Sequence, residues 1–140
     1  MNILLAVDGS PYTKKMLAYL AAHDEMLGPA HNYTAITVQP QLPPRARATL
    51  GKAVLERYYA EESERILAPV IKYMARQGVQ LKTLSKTGAA GETIAHAAQS
   101  GKFDLIVMGT HGQGAFSRLV MGSVSTKVLA NCTVPVLLVR

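Results

Sequence analysis

Cysteine is all but absent: Cys132 stands alone, so no internal disulfide can form and the chain suits a reducing compartment. Near the start of the last apolar run, Cys132 reads as a small apolar filler rather than a reactive thiol. Long hydrophobic runs are absent as well. The opening Ile3-Leu4-Leu5-Ala6-Val7 has no basic residues before it, is broken by Asp8, and is too short for a signal peptide or a membrane span. The expected location is therefore the cytoplasm, and no membrane partner is expected. Without a secretory signal, the glycosylation-like triplets Asn32-Tyr33-Thr34 and Asn131-Cys132-Thr133 carry no chemical consequence. Acidic residues are scarce, 9 against 15 Lys and Arg for a net +6, which raises the question of nucleic acid around Arg45, Arg47, Lys52 and Arg57. Those charges are scattered and no aromatic residues interleave with them, so they read as a solvated helix face that also helps attract a polyanionic small ligand.

What is there is a core. With 49% hydrophobic residues spread over 140 positions, the chain is long enough for one compact domain, 1–140, and too short for two of ordinary size. The near-continuous apolar run at 2–7 reads as a buried parallel strand. Asp8-Gly9-Ser10-Pro11 then turns the chain into a helix, with Ser10 as N-cap and proline in the first turn. The helix is expected to run to about Leu27, with Met16, Leu20, His23 and Leu27 on one face and Gly28-Pro29 closing it. A β-branched run at 33–38 is the second strand. The proline-rich stretch 39–49 reads as a loop, either able to move over a neighbouring site or a plain connector. From Leu50 to about Gln77 a long helix is expected, with Leu50, Val54, Tyr58, Ile66, Val70 and Met74 as its apolar stripe and Pro69 kinking or interrupting it.

An alternating segment at 79–85 suggests an exposed edge strand, followed by a turn at 88–91 and a short helix at 92–100 with Ile94 and Ala97 or Ala98 inward. Asp104-Leu105-Ile106-Val107-Met108 is another buried strand. A helix at 123–130, with Val124, Val128 and Leu129 on one side, precedes the last strand at 134–139. The order β-α-β-α-β-α-β-α-β calls for a parallel sheet with helices on both faces, and such sheets bind ligands beyond the carboxyl ends of their strands. Asp8, Val38 and Met108-Gly109 fall at those ends.

The stretch after Met108 reads Gly109-Thr110-His111-Gly112-Gln113-Gly114-Ala115-Phe116-Ser117-Arg118-Leu119-Val120-Met121-Gly122-Ser123-Val124-Ser125. Its pattern is G-x-x-G, nine residues, then G-S. Glycines after a buried strand let backbone N–H groups approach a ligand, and Ser123 opens a helix whose free N–H groups and dipole attract phosphate. A polyphosphate can be held there mainly by backbone. Neither the P-loop nor the dinucleotide fingerprint is present, and without a P-loop lysine fast ATP hydrolysis is not expected.

These features together resemble the universal stress protein family, in its ATP-binding branch. The resemblance covers essentially the whole chain: Ile3 to Ser10, Asp104 to Gly109, the long glycine pattern, and Val134-Pro135-Val136-Leu137-Leu138-Val139. It implies a Rossmann-like nucleotide-binding α/β fold with five parallel strands in the order 3-2-1-4-5, usually dimerised through the last strand. It further implies that Asp8 and the backbone around Val38 meet ribose and adenine, and that Met108, Gly109 and Gly112 line the phosphate loop. Gly122, Ser123 and Val124 then bind the phosphates of ATP, with or without Mg²⁺.

Alternatives stay open at several positions. Asp8 either contacts ribose or caps the first turn, and His111 either acts as a base or is a solvated loop histidine. Arg118 reaches either phosphate or solvent. His23, His31 and His96 are dispersed, without metal-ligand spacing. The favoured function is a nucleotide-binding regulatory module in stress response. Its rivals are slow phosphoryl transfer, with Ser123 or Ser125 as phosphate acceptor, and a structural homodimer paired through 134–139 that acts through a protein partner.

Overall fold

The computed structural model describes residues 1–112 and 121–140. Among the described residues ten elements follow one another: β1 (Asn2–Ala6), α1 (Pro11–Ala22), β2 (Asn32–Gln39), α2 (Pro44–Leu50), α3 (Lys52–Arg76), β3 (Lys82–Thr87), α4 (Ala90–Ser100), β4 (Leu105–Gly109), α5 (Ser123–Asn131) and β5 (Val136–Val139). The strands form a single all-parallel sheet in the order β3-β2-β1-β4-β5, as the resemblance implies. Among the described residues no helix is long and apolar enough to cross a membrane.

β1 is central and covered on both faces, so its apolar run needs no alternation. Ile3, Leu4 and Leu5 are each 0% exposed. Ile3 and Leu5 point into a cluster with Met16 and Leu20 of α1 and Leu67, Val70 and Met74 of α3. Leu4 points the other way, to Ile36, Ile106, Ile94 and Ala98 of α4, and Val128 of α5. Two helices thus lie on each face. β3 occupies the edge expected of it, its residues mostly exposed.

Several local expectations are corrected. α1 stops at Ala22 instead of about 27, because His23 turns its N–H back to the Leu20 carbonyl and the next residues fold into a turn. Tyr33 holds that turn through its hydroxyl, which donates to Met26 O (2.6 Å) and accepts from Gly28 N (2.9 Å). The loop expected at 39–49 contains α2, which starts on Pro44 and buries none of its residues. α3 runs through Pro69 without interruption. Pro69 lies on the exposed face, where water can take the carbonyl that the proline leaves without a partner. The apolar stripe of α3 holds only in its second half. Ile66, Val70 and Met74 are buried, whereas Leu50, Val54 and Tyr58 are 41%, 48% and 42% exposed, because α3 has no buried residue before Ser63. Leu129 likewise faces outward. Lys52, one of the scattered basic residues, faces Glu56 across one helical turn, as a solvated helix face would.

Met74→Ala should destabilise the protein by about 2–5 kcal/mol, since it opens a cavity at a fully buried site. Val54→Ala, on the same helix, should stay within about 0.5 kcal/mol of the parent. Urea denaturation of both variants checks the boundary between the packed and unpacked halves of α3.

Candidate functional site

Three strand ends converge above the sheet. After β1 the chain must reverse within a few residues to start α1, and Asp8 organises that turn. Its Oδ1 accepts from Ser10 N (2.9 Å) and Thr13 Oγ1 (3.0 Å), while its own N–H donates to Thr13 Oγ1 (3.2 Å). Ser10 stands at the N-cap position of α1 as expected, but its side chain makes no capping bond. The carboxylate two residues earlier has taken over the turn. The other carboxylate oxygen lies against Gly112: a Cβ built there would come within 2.5 Å of Asp8 Oδ2. The two readings of Asp8 are therefore compatible, since one oxygen shapes the turn and the other faces the glycine segment.

β4 ends in Gly109, and the chain after it is bound tightly to what surrounds it. Thr110 N donates to Val139 O (2.9 Å), and Gly122 N returns to Thr110 O (2.6 Å), bringing the two ends of the glycine segment together. Ser125, 1% exposed, shares its hydroxyl between Gly109 O and Thr110 O at 3.1 Å each, tying the first turn of α5 to the end of β4. That buried hydroxyl is engaged by backbone carbonyls rather than presented to the cleft as a free group. His111 Nδ1 lies 2.9 Å from Thr110 Oγ1, and its ring stands 5.0 Å from that of Tyr12, over which Lys15 Nζ sits at 4.7 Å.

The glycines are needed for space rather than for unusual backbone angles: none of the three is among those with positive φ. A Cβ at Gly109 would meet Tyr12 Cβ at 2.6 Å, and one at Gly122 would press on Thr110 O and His111 Cα, both at 3.2 Å. The sequence reading assigned these glycines to close ligand approach. The structure adds that they let the segment pack on itself, on Asp8 and on Tyr12. Gly122 is also the N-cap of α5, and having no side chain it leaves the first-turn N–H groups unoccupied by a cap.

From the third strand end, Val38 and Gln39 of β2 and the following Pro40 close one side, joined by Arg65 and Ile66 of α3. The result is a cleft of about 660 Å³, within the range of small-molecule sites. Its lining includes Asp8, Val38, Met108, Gly109, Gly112, Gly122, Ser123 and Val124, so the eight residues assigned to the nucleotide from sequence are brought to one place. Arg118 and the rest of 113–120, including Gly114, lie outside the described residues. Among the described residues no group of three His, Cys, Asp or Glu could hold a metal ion.

Among the lining residues that sequence reasoning did not assign to the site are Thr37, Gln39 and Arg65, and the tether made by Ser125 was not foreseen. For the first two a signal existed. Tyr33, Ala35, Thr37 and Gln39 share one strand face, and that face turns from apolar to polar at the carboxyl end. Thr37 is 1% and Gln39 8% exposed, yet Thr37 Oγ1 and Gln39 Nε2 have no hydrogen-bond partner among the described residues. Each such atom costs about 1–3 kcal/mol when left unpaired. Arg65, paired with Glu62 at 3.0 Å, had no sequence signal beyond a position on an exposed helix face.

Comparison with known proteins places this geometry. The model of the universal stress protein family matches residues 1–140. A universal stress protein of Thermus aquaticus is 38% identical over 140 residues, covering 99% of this chain and 98% of its own. Other relatives are longer, the match covering 47% of one from Methanocaldococcus jannaschii and 42% of one from Synechocystis. Among solved structures, the protein MJ0577 superposes with a TM-score of 0.82 at 22% identity, covering 99% of this chain and 94% of that one. A universal stress protein in complex with cAMP gives 0.70 at 17% identity, covering 100% and 97%. One from Arabidopsis thaliana with AMP bound gives 0.69 at 14%, covering 99% and 90%. These structures share the fold, and the whole-length family match decides the rest: the chain belongs to the universal stress protein family.

Proposed function

We propose that the protein binds an adenine nucleotide, ATP with its Mg²⁺ counter-ion, in the cleft above β1 and β4 and works as a regulatory module whose occupancy is its signal. The observation that carries this reading is the convergence of Asp8, Val38 and the whole described glycine pattern on one cleft, onto which a helix N-terminus with a side-chain-free cap opens. In this reading the amides of Ser123 and Val124 and the Ser123 hydroxyl hold phosphate. Met108, Gly109 and Gly112 form the floor of the phosphate loop, while Asp8 and the Val38 backbone meet ribose and base. The cAMP and AMP carried by two proteins of the same fold support the choice of adenine.

Binding is favoured over turnover on chemical grounds. Asp8 Oδ1 is already engaged by Ser10 N and Thr13 Oγ1, and Ser125 is spent on two carbonyls. Neither group is set up to activate a nucleophile. Homodimerisation through β5 belongs to the same proposal: β5 is a sheet edge, and Val136, Leu137 and Leu138 are each only partly buried.

Ser123 is the first residue of α5, where proline fits the helix but removes the N–H, and Gly122 before it already has the extended backbone (φ −77, ψ 167) that proline demands. Calorimetric titration of ATP should show Ser123→Pro weakening binding at least ~10-fold with thermal stability nearly unchanged, and Ser123→Ala weakening it only a few-fold. Equal affinity in Ser123→Pro and wild type would show that phosphate does not sit on this helix end. For the dimer, a Val136→Lys/Leu138→Lys double variant should sediment as a monomer where wild type sediments as a dimer. A wild type that is monomeric at every concentration overturns that part.

A further inference from the structure

Thr37 and Gln39 are the described polar side chains of the cleft wall that are almost fully buried and lack a partner at Oγ1 and Nε2. Their strand face explains the burial: Tyr33 and Ala35, four and two residues before Thr37, are buried in the cluster under α1 and α3. At the carboxyl end the same face reaches the cleft, which Ile66 and Arg65 also line. The backbone of Gln39 is fixed, its carbonyl accepting from Gly88 N at 2.9 Å and its Cα registered against Thr87. A pinned anchor whose amide nitrogen has no partner is arranged for a partner that comes from the cleft.

The strand order says which part of a nucleotide that partner is. The glycine segment and the start of α5 stand above β4, Asp8 above β1, and Gln39 above β2. With neighbouring strands ~4.8 Å apart, the three stations span about 10 Å. That is enough to lay out phosphate, ribose and base in sequence. A glutamine carboxamide offers a donor and an acceptor side by side, the complement of the exocyclic amino group and adjacent ring nitrogen of adenine. Resting on the nucleotide reading above, we propose that Gln39, seconded by Thr37, is the specificity residue of the cleft: its carboxamide pairs with the amino edge of adenine, and the Thr37 hydroxyl bonds a ring nitrogen. Neither unpaired atom meets solvent in this structure. Engagement therefore requires Gln39 χ3 and Thr37 χ1 to turn, motions between ordinary side-chain wells that leave the strand in place.

Because an unpaired buried amide destabilises the protein that carries it, the proposal separates stability from binding. Gln39→Met, close in volume and without polar nitrogen, should melt no lower than wild type in the absence of nucleotide. In calorimetric titrations wild type should prefer ATP over purine riboside triphosphate, which lacks only the amino group, by about tenfold. In Gln39→Met that preference should fall below about threefold, the signature of a direct pairing in a double-mutant cycle. Thr37→Val should weaken both nucleotides alike, and Gln39→Leu serves where Gln39→Met does not fold. If ATP binds and the preference is absent in wild type or undiminished in the Gln39 variants, this inference falls and the nucleotide reading stands. If ATP does not bind wild type at all, both fall.

Discussion

The arrangement above the sheet depends on β1 lying between β2 and β4. From that central strand the chain proceeds to β2 and β3 on one side and, through α4, to β4 and β5 on the other. Crossovers that leave in opposite directions cannot cover the carboxyl end of β1, so a crevice remains there. Burial of Ile3, Leu4 and Leu5 on both faces secures this placement, because no edge position would remove all three side chains from water. The converging strand ends at Asp8, Val38 and Gly109 follow from it.

Within the crevice, rigidity comes from short polar contacts rather than from regular structure. Asp8 holds the turn into α1, Ser125 holds α5 against the end of β4, and Gly122 N holds the far end of the glycine segment to Thr110 O. Glycines allow these approaches because a side chain at 109 or 112 would collide with protein atoms and one at 122 would crowd Thr110 O and His111 Cα. The same contacts keep Asp8 Oδ1 and the Ser125 hydroxyl bonded to the protein itself.

Fold and site were legible in the sequence to different depths. Alternating apolar runs and helical stripes specified the five parallel strands, since period and burial are local properties. Local signals failed where tertiary contact decided. α1 ended early because Tyr33, distant from its end in sequence, held a turn there. The spacing of Leu50, Val54 and Tyr58 matched a buried stripe, but α3 finds the sheet only from Ser63 onward. At the site, the glycine pattern and the residues at strand ends pointed to the cleft because each is tied to an element boundary. Thr37 and Gln39 were readable only once their face was known to be buried. Arg65 arrives from a helix whose sequence marks it as solvated.

The central claim is that a nucleotide lies across β4, β1 and β2 with its phosphates on the first turn of α5. Amide chemical-shift mapping during ATP titration of ¹⁵N-labelled protein tests it most directly. The account predicts the largest shifts at Ser123, Val124 and Gly112, with a second group at Val38 and Gln39. Shifts confined instead to the cleft of about 470 Å³ at the amino ends of β2 and β3, at Gly28, Gly78 and Val79, would contradict it.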